Sequence, residues 1–187
     1  MEKGSHTLGE PTGLIPREKL TIRREKPFIY LEGEGGPGTT SIKWDDHGHV
    51  DSSYTFTLLV ENFLASRITF KNTYNLGSER SNPVAVAPAI LIWGDKAVFY
   101  NCKFLSLQDT LADFTRRHLF DSCYIEGGMD FMSTLTYVES NCSGPGSNIS
   151  SRVSWLKTLT PEQLENYLDP TKFIDQDEWV EAQPVHN

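Results

Sequence analysis

With 187 residues, 38% hydrophobic and 22% charged, the chain has the make-up of a single folded domain and not of a disordered polymer. A formal net charge of −8 argues against nucleic acid or an anionic membrane as partner, and no run of about 18 apolar residues is present to span a bilayer. The five histidines fall at no ligand spacing and no C-x-x-C pair occurs, so neither a metal site nor a cofactor is expected.

Residues 1–15 are polar and glycine-rich and are expected to form a flexible N-terminus, with Pro11 and Pro16 breaking any regular element. Met1 to His6 lacks the apolar core of a secretory signal. Glu18 to Ile22 and Pro27 to Gly33 read as strands, the second running into glycines. Gly33-Glu34-Gly35-Gly36-Pro37-Gly38 matches the dinucleotide pattern G-x-G-x-x-G, which requires a following helix whose N-terminus faces a pyrophosphate. The next residues, Thr39 to Trp44, are strand-like instead. The glycines therefore predict a tight corner, and nucleotide binding is rejected.

Asp45 to Ser53 is a polar loop. Tyr54 to Val60 alternates Thr with larger residues, the pattern of a half-buried strand, and Phe63 to Ala65 and Ile68 to Phe70 continue it. After a second polar loop from Asn72 to Pro83, Ile90 to Trp93 and Ala97 to Tyr100 are short strands parted by a Gly94-Asp95 turn. Short strands with almost no helical periodicity predict an all-β fold.

A repeat then narrows the choice. Phe99-Tyr100-Asn101-Cys102-Lys103-Phe104 is half echoed by Phe120-Asp121-Ser122-Cys123-Tyr124-Ile125, 21 residues on, and Asp109 and Asp130 are separated by the same 21. A period of about 20 residues with β-branched and aromatic runs suggests stacked coils of a β-solenoid. Stacking places Asp109 on Asp130, one inter-strand step of roughly 5 Å away. Two carboxylates so close tend to share a proton, an arrangement for one nucleophile or base beside one acid. Cys102 and Cys123 stack likewise, either as a disulfide or as free buried thiols. Thr160-Pro161-Glu162-Gln163 predicts the start of a short helix in a tail of different character from Ser151 onward.

Gln108-Asp109-Thr110-Leu111 and Gly-x-x-Asp-Phe, here Gly127 to Phe131, resemble two signature motifs of the pectin methylesterases (pectinesterases), especially plant ones. Phe70-Lys71-Asn72-Thr73, Gly94-Asp95-Lys96-Ala97, Arg152-Val153-Ser154-Trp155 and Phe173-Ile174-Asp175 resemble further family text in the same order. The resemblance implies a right-handed parallel β-helix over residues 16–150, with a C-terminal helical tail over 151–187 packing on its outside. It implies hydrolysis of galacturonate methyl esters of pectin to carboxylate and methanol, by a monomer in the plant cell wall. Carried over by motif, Asp130 takes the nucleophile's place and Asp109 that of the acid which later activates water. Gln108 takes an oxyanion-donor position. No substrate-binding residue is assigned. The sequons at Asn141 and Asn148 would be acceptors only on an exported chain.

The chain also departs from the family. Val86 stands where a second donor Gln belongs, in Val86-Ala87-Pro88-Ala89-Ile90. The nucleophile motif is cut short after Phe131, and tail-like text begins at about Tyr137. The Leu-Gly-Arg-x-Trp segment, whose Arg would keep the nucleophile ionised, is absent. Arg116 and Arg117 are the nearest cations in sequence to replace it. Two readings remain: a pectinesterase, or a catalytically inactive β-helix remnant that at most binds polygalacturonan weakly. Pectate lyase chemistry is set aside, because no Ca²⁺-binding carboxylate cluster is evident.

Overall fold

The computed structural model describes residues 18–36, 38–76, 83–114 and 116–128, the backbone of 139–140, and Thr160, Glu162 and Glu165. The chain winds in coils of three strands. The first coil holds β1 (Leu20–Ile22), β2 (Ile29–Glu32) and β3 (Thr40–Trp44), and the second β4 (Phe56–Leu58), β5 (Phe63–Ser66) and β6 (Ile68–Asn72). The third holds β7 (Ile90–Ile92), β8 (Ala97–Tyr100) and β9 (Lys103–Leu105), and the fourth β10 (Leu111–Asp113), β11 (His118–Asp121) and β12 (Tyr124–Glu126). A further strand, β13 (Glu139–Ser140), pairs with β11. Stacking the coils yields three sheets, ordered β1-β4-β7-β10, β13-β11-β8-β5-β2 and β12-β9-β6-β3. Every pairing is parallel, as a β-helix requires.

The expected 21-residue period holds between the third and fourth coils, where His118 pairs with Ala97 and Tyr124 with Lys103. It does not extend to the earlier coils: Phe63 pairs with Ala97, 34 residues away. The difference lies at one corner. The loops Asp45–Thr55 and 73–89 join the third sheet to the first in the early coils, whereas Ser106–Thr110 does so in the third. The expected strand over Tyr54–Val60 is shorter, Phe56–Leu58, because Tyr54 and Thr55 belong to this corner.

The core is a ladder of phenylalanines at inward positions. Phe70 stacks on Phe104 (5.5 Å, 9°) and Phe99 on Phe120 (5.1 Å, 6°), each pair in register on neighbouring coils. Such ring pairs add about 0.5–1.5 kcal/mol each beyond the area they bury. Corners turn on single left-handed residues: Arg67, Asn101 and Ser122 (φ 57°, 52° and 53°) occupy equivalent positions on successive coils. Gly33 begins that column, where a Cβ would lie 2.2 Å from the Arg67 carbonyl oxygen. The Gly33–Gly38 run is the corner anticipated from the sequence, with Gly35 and Gly38 at φ 73° and 97°. Cys102 and Cys123 are buried free thiols, which decides between the two states the sequence allowed. Glu162 and Glu165 have helical backbone; apart from these and Thr160, the tail lies outside the described residues.

Candidate active site

The corner between the third and first sheets carries Gln108 and Asp109. Backbone hydrogen bonds set its register: Thr55 N donates to Pro88 O (3.2 Å), Phe56 N to Ala89 O (3.1 Å) and Ala89 N to Thr110 O (3.1 Å). Tyr54, Pro88 and Asp109 therefore occupy one column on successive coils. Asp109 is buried at 6% exposure and left-handed (φ 57°). Asp reaches that conformation more readily than most residues. A strained, buried carboxyl held by its surroundings is common at functional sites. Gln108 beside it is half-buried.

The fourth coil continues the register. Ser106 N donates to Glu126 O (3.2 Å), the Thr110 hydroxyl to the same carbonyl (3.0 Å), and Gly128 N to Leu107 O (2.8 Å). Leu107 and Gly128 are again 21 residues apart, and Asp130 comes two residues later. Asp130 itself lies outside the described residues, so its distance from Asp109 is not part of the observed geometry.

The two long loops of the earlier coils are fastened to this corner. Asn72, fully buried at the end of β6, donates through Nδ2 to the carbonyls of Asp46 (2.9 Å), Pro88 (3.1 Å) and Ser53 (3.3 Å). Its Oδ1 accepts from Tyr74 N (3.1 Å). Asn75 Nδ2 donates to Ala85 O (2.6 Å) while Ala85 N donates to Asn75 Oδ1 (3.2 Å), and the Ser106 hydroxyl donates to Ala87 O (2.5 Å). Val86 is held between these anchors, and its carbonyl accepts from Gly48 N (2.9 Å). The backbone on either side of this apolar residue is thus fixed by hydrogen bonds. Burial, with the charges of Asp109 and Asp51 added, pushes the Tyr54 hydroxyl up to about 12, so it stays protonated and can donate.

Arg116 and Arg117 come after β10, whereas Asp109 precedes it. Arg117 binds Asp95 through Nη2 (2.6 Å), Nε (3.3 Å) and its backbone N–H (3.0 Å). Burial works to raise the Asp95 carboxyl, but the Arg117 hydrogen bonds more than offset it and the carboxyl falls below its usual range. Arg116 pairs with Glu61 at 3.5 Å. Both guanidiniums are thus engaged at the far end of β10, which weakens either as a substitute cation. Sequence reasoning missed Tyr54 and Asn72. For Tyr54 the signal was its 34-residue spacing from Pro88, hidden by the unequal loops.

Residues 12–133 match the family model described as Pectinesterase. Probable pectinesterase 29 of Arabidopsis thaliana is 47% identical over 264 aligned positions, covering 90% of this chain and 78% of the relative. That alignment is longer than the 187-residue chain, so the relative carries residues that have no counterpart here. Among solved structures, the pectin methylesterase PemA from Erwinia chrysanthemi superposes with a TM-score of 0.60 at 25% identity, over 76% of this chain; the chain spans 47% of that protein. The pectin methylesterase from carrot superposes with a TM-score of 0.61 at 18% identity, over 93% of this chain and 86% of that one, a likeness of fold.

Proposed function

The chain belongs to the pectinesterase family, and from that membership we propose that it hydrolyses galacturonate methyl esters of pectin, releasing methanol. The observation that supports the reading is the 21-residue register between Leu107 and Gly128 next to the buried, left-handed Asp109; from that register we infer that Asp130 comes beside Asp109. In this reading the Asp130 carboxylate attacks the ester carbonyl carbon. The developing oxyanion takes an N–H from Gln108, and Asp109 gives its proton to the departing methoxide. Asp109, now a carboxylate, removes a proton from water. The hydroxide opens the acyl–Asp130 anhydride, leaving galacturonate and free Asp130.

The chain acts slowly. The Val86 side chain offers no N–H where a second donor amide would stand, and loss of one such donor typically costs ~10²–10³-fold in rate. The missing Leu-Gly-Arg-x-Trp text removes the cation that would favour an ionised Asp130. Val86 also supports a second reading, a remnant without catalysis. The acting protein is taken to be a monomer in the cell wall, with residues 151–187 packed on the β-helix. The test is methanol release from highly methylated pectin by purified chain. Slow release that disappears in Asp130→Asn supports catalysis; equal release by that variant overturns the assignment of Asp130.

A further inference from the structure

The outer face of the β12-β9-β6-β3 sheet carries a cationic stripe at odds with the charge of the chain. Ile42, Phe70 and Phe104 point into the core, so the alternate residues Lys43, Lys71 and Lys103 point outward. Lys43 and Lys71 are direct partners on β3 and β6, and Lys71 pairs with Leu105, two residues beyond Lys103 on β9. The Lys103 chain leans back across β6: a Cβ on Gly38 would lie 3.1 Å from its Nζ. Lys43 and Lys71 thus lie side by side near the ends of β3 and β6, and the Lys103 ammonium lies on the same face toward the corner leading into β3. All three lysines are half-buried, and among the described residues none makes an ion pair. Like charges placed opposite each other on adjacent strands are destabilising. Here that cost is borne in a chain whose net charge is −8, with acidic side chains abundant enough to neutralise it.

The stripe borders the candidate site. Lys43 and Lys71 are the penultimate residues of their strands, and the next residues of those coils enter the loops that wall the corner of Asp109. At the fourth coil the row ends in Glu126, whose carboxylate accepts from the Tyr124 hydroxyl (3.1 Å). Positive charge is therefore confined to the side of the site facing the first coils. Screening limits the influence of the net negative charge to about 8 Å at physiological salt, so a strand lying on this face meets chiefly the lysines.

We propose that this face binds a polyuronate strand, the de-esterified product of the candidate site, through carboxylates set against Lys43, Lys71 and Lys103. The identity of the polyanion rests on the function proposed above; the cationic face does not. Ester hydrolysis turns a neutral strand into a polyanion. A cationic track beginning at the site holds the converted part while the unconverted part remains over the Asp109 corner.

The proposal is tested by affinity electrophoresis in gels containing de-esterified polygalacturonate, all chains carrying Asp109→Asn so that the polymer is not converted. The Asp109→Asn chain is expected to be retarded, with retardation falling as salt rises. Adding Lys43→Gln and Lys71→Gln should weaken binding about tenfold, the size expected for two exposed charge contacts, while Lys43→Arg with Lys71→Arg should preserve it. Fully methylated polymer should not retard the chain. Equal retardation with and without the Gln pair overturns the proposal, as does equal retardation by methylated polymer. Equal retardation by dextran sulfate also overturns it, by showing a general polyanion response. Methanol release from the same lysine variants with Asp109 intact is measured separately. Retardation without methanol release leaves the site standing and defeats the catalytic reading; release without retardation does the reverse.

Discussion

The side-chain amide of Asn72 meets the Pro88 carbonyl at 3.1 Å, tying the end of β6 to the residue beneath Asp109 in the corner column. The same amide also holds the Asp45–Thr55 loop through Asp46 and Ser53. Asn72→Ala removes the side-chain donor to the Asp46 and Ser53 carbonyls and leaves Pro88 O with the Thr55 N–H alone. It should cost about 2–3 kcal/mol, read as a lower denaturation midpoint at unchanged slope. A loss below about 0.5 kcal/mol, the level of an ordinary surface substitution, would show that Asn72 does not fasten the corner.

A second stability prediction concerns the opposite corner. A Cβ on Gly94 would fall 1.6 Å from the Val60 carbonyl oxygen, and backbone cannot step aside as a side chain can. Gly94→Ala should destabilise by more than about 3 kcal/mol or prevent folding, measured by thermal melting against wild type. Gly36→Ala, where a Cβ meets open space, is the matched control and should be close to neutral.

Alkaline stability depends on three buried acids. Burial raises the Tyr30 and Tyr54 hydroxyls from 10.0, and the Cys102 thiol from 9.0, each to about 12. A folded-state value above the unfolded one contributes stability that is fully present below the unfolded value. That stability is lost as pH rises through the folded one. Stability should therefore hold to about pH 9 and decline from there toward 12, with phenolate absorbance from Tyr30 and Tyr54 appearing together with loss of the fold. Phenolate formation by all seven tyrosines near pH 10, with the fold intact, would contradict the burial assigned to these two.

The thiols supply an independent check. In a Cys142→Ser chain, a thiol reagent at pH 8 should find neither Cys102 nor Cys123 in the native state and both after denaturation without reductant. Silence after denaturation would mean a disulfide instead.

The later coils were legible because a five-residue corner, Ser106–Thr110, lets the 21-residue register show as repeated text around Cys102 and Cys123. The earlier coils have the same strands, but the Asp45–Thr55 loop stretches the spacing to 34 between Ile29 and Phe63, and the 73–89 loop does so between Phe63 and Ala97. The corner residues Arg67, Asn101 and Ser122 share a left-handed conformation but no residue type, so nothing in composition marks them. Asp109 stood out by its motif, and its burial and left-handed backbone are what the structure adds; its chemical role belongs to the proposed function. The part Tyr54 and Asn72 play could not be read from the sequence, since Tyr54 reaches the corner through a long loop and Asn72, at the end of β6, acts there through tertiary hydrogen bonds. The pairing of Lys43 with Lys71 needs a register that periodicity alone does not supply.

The central claim, a working ester-hydrolysing corner slowed by the lack of a donor, is tested most directly by methanol release from highly methylated pectin. Wild type, Asp109→Asn and Val86→Gln are measured side by side. Because the Val86 backbone is already anchored through Gly48, Asn75 and Ser106, a Gln there restores an N–H without rebuilding the wall. The account predicts slow release by wild type, none by Asp109→Asn, and release about tenfold or more faster by Val86→Gln, given the ~10²–10³-fold that such donors typically supply. No release from either wild type or Val86→Gln, with both chains folded, would contradict it and leave the non-catalytic remnant as the function of this chain.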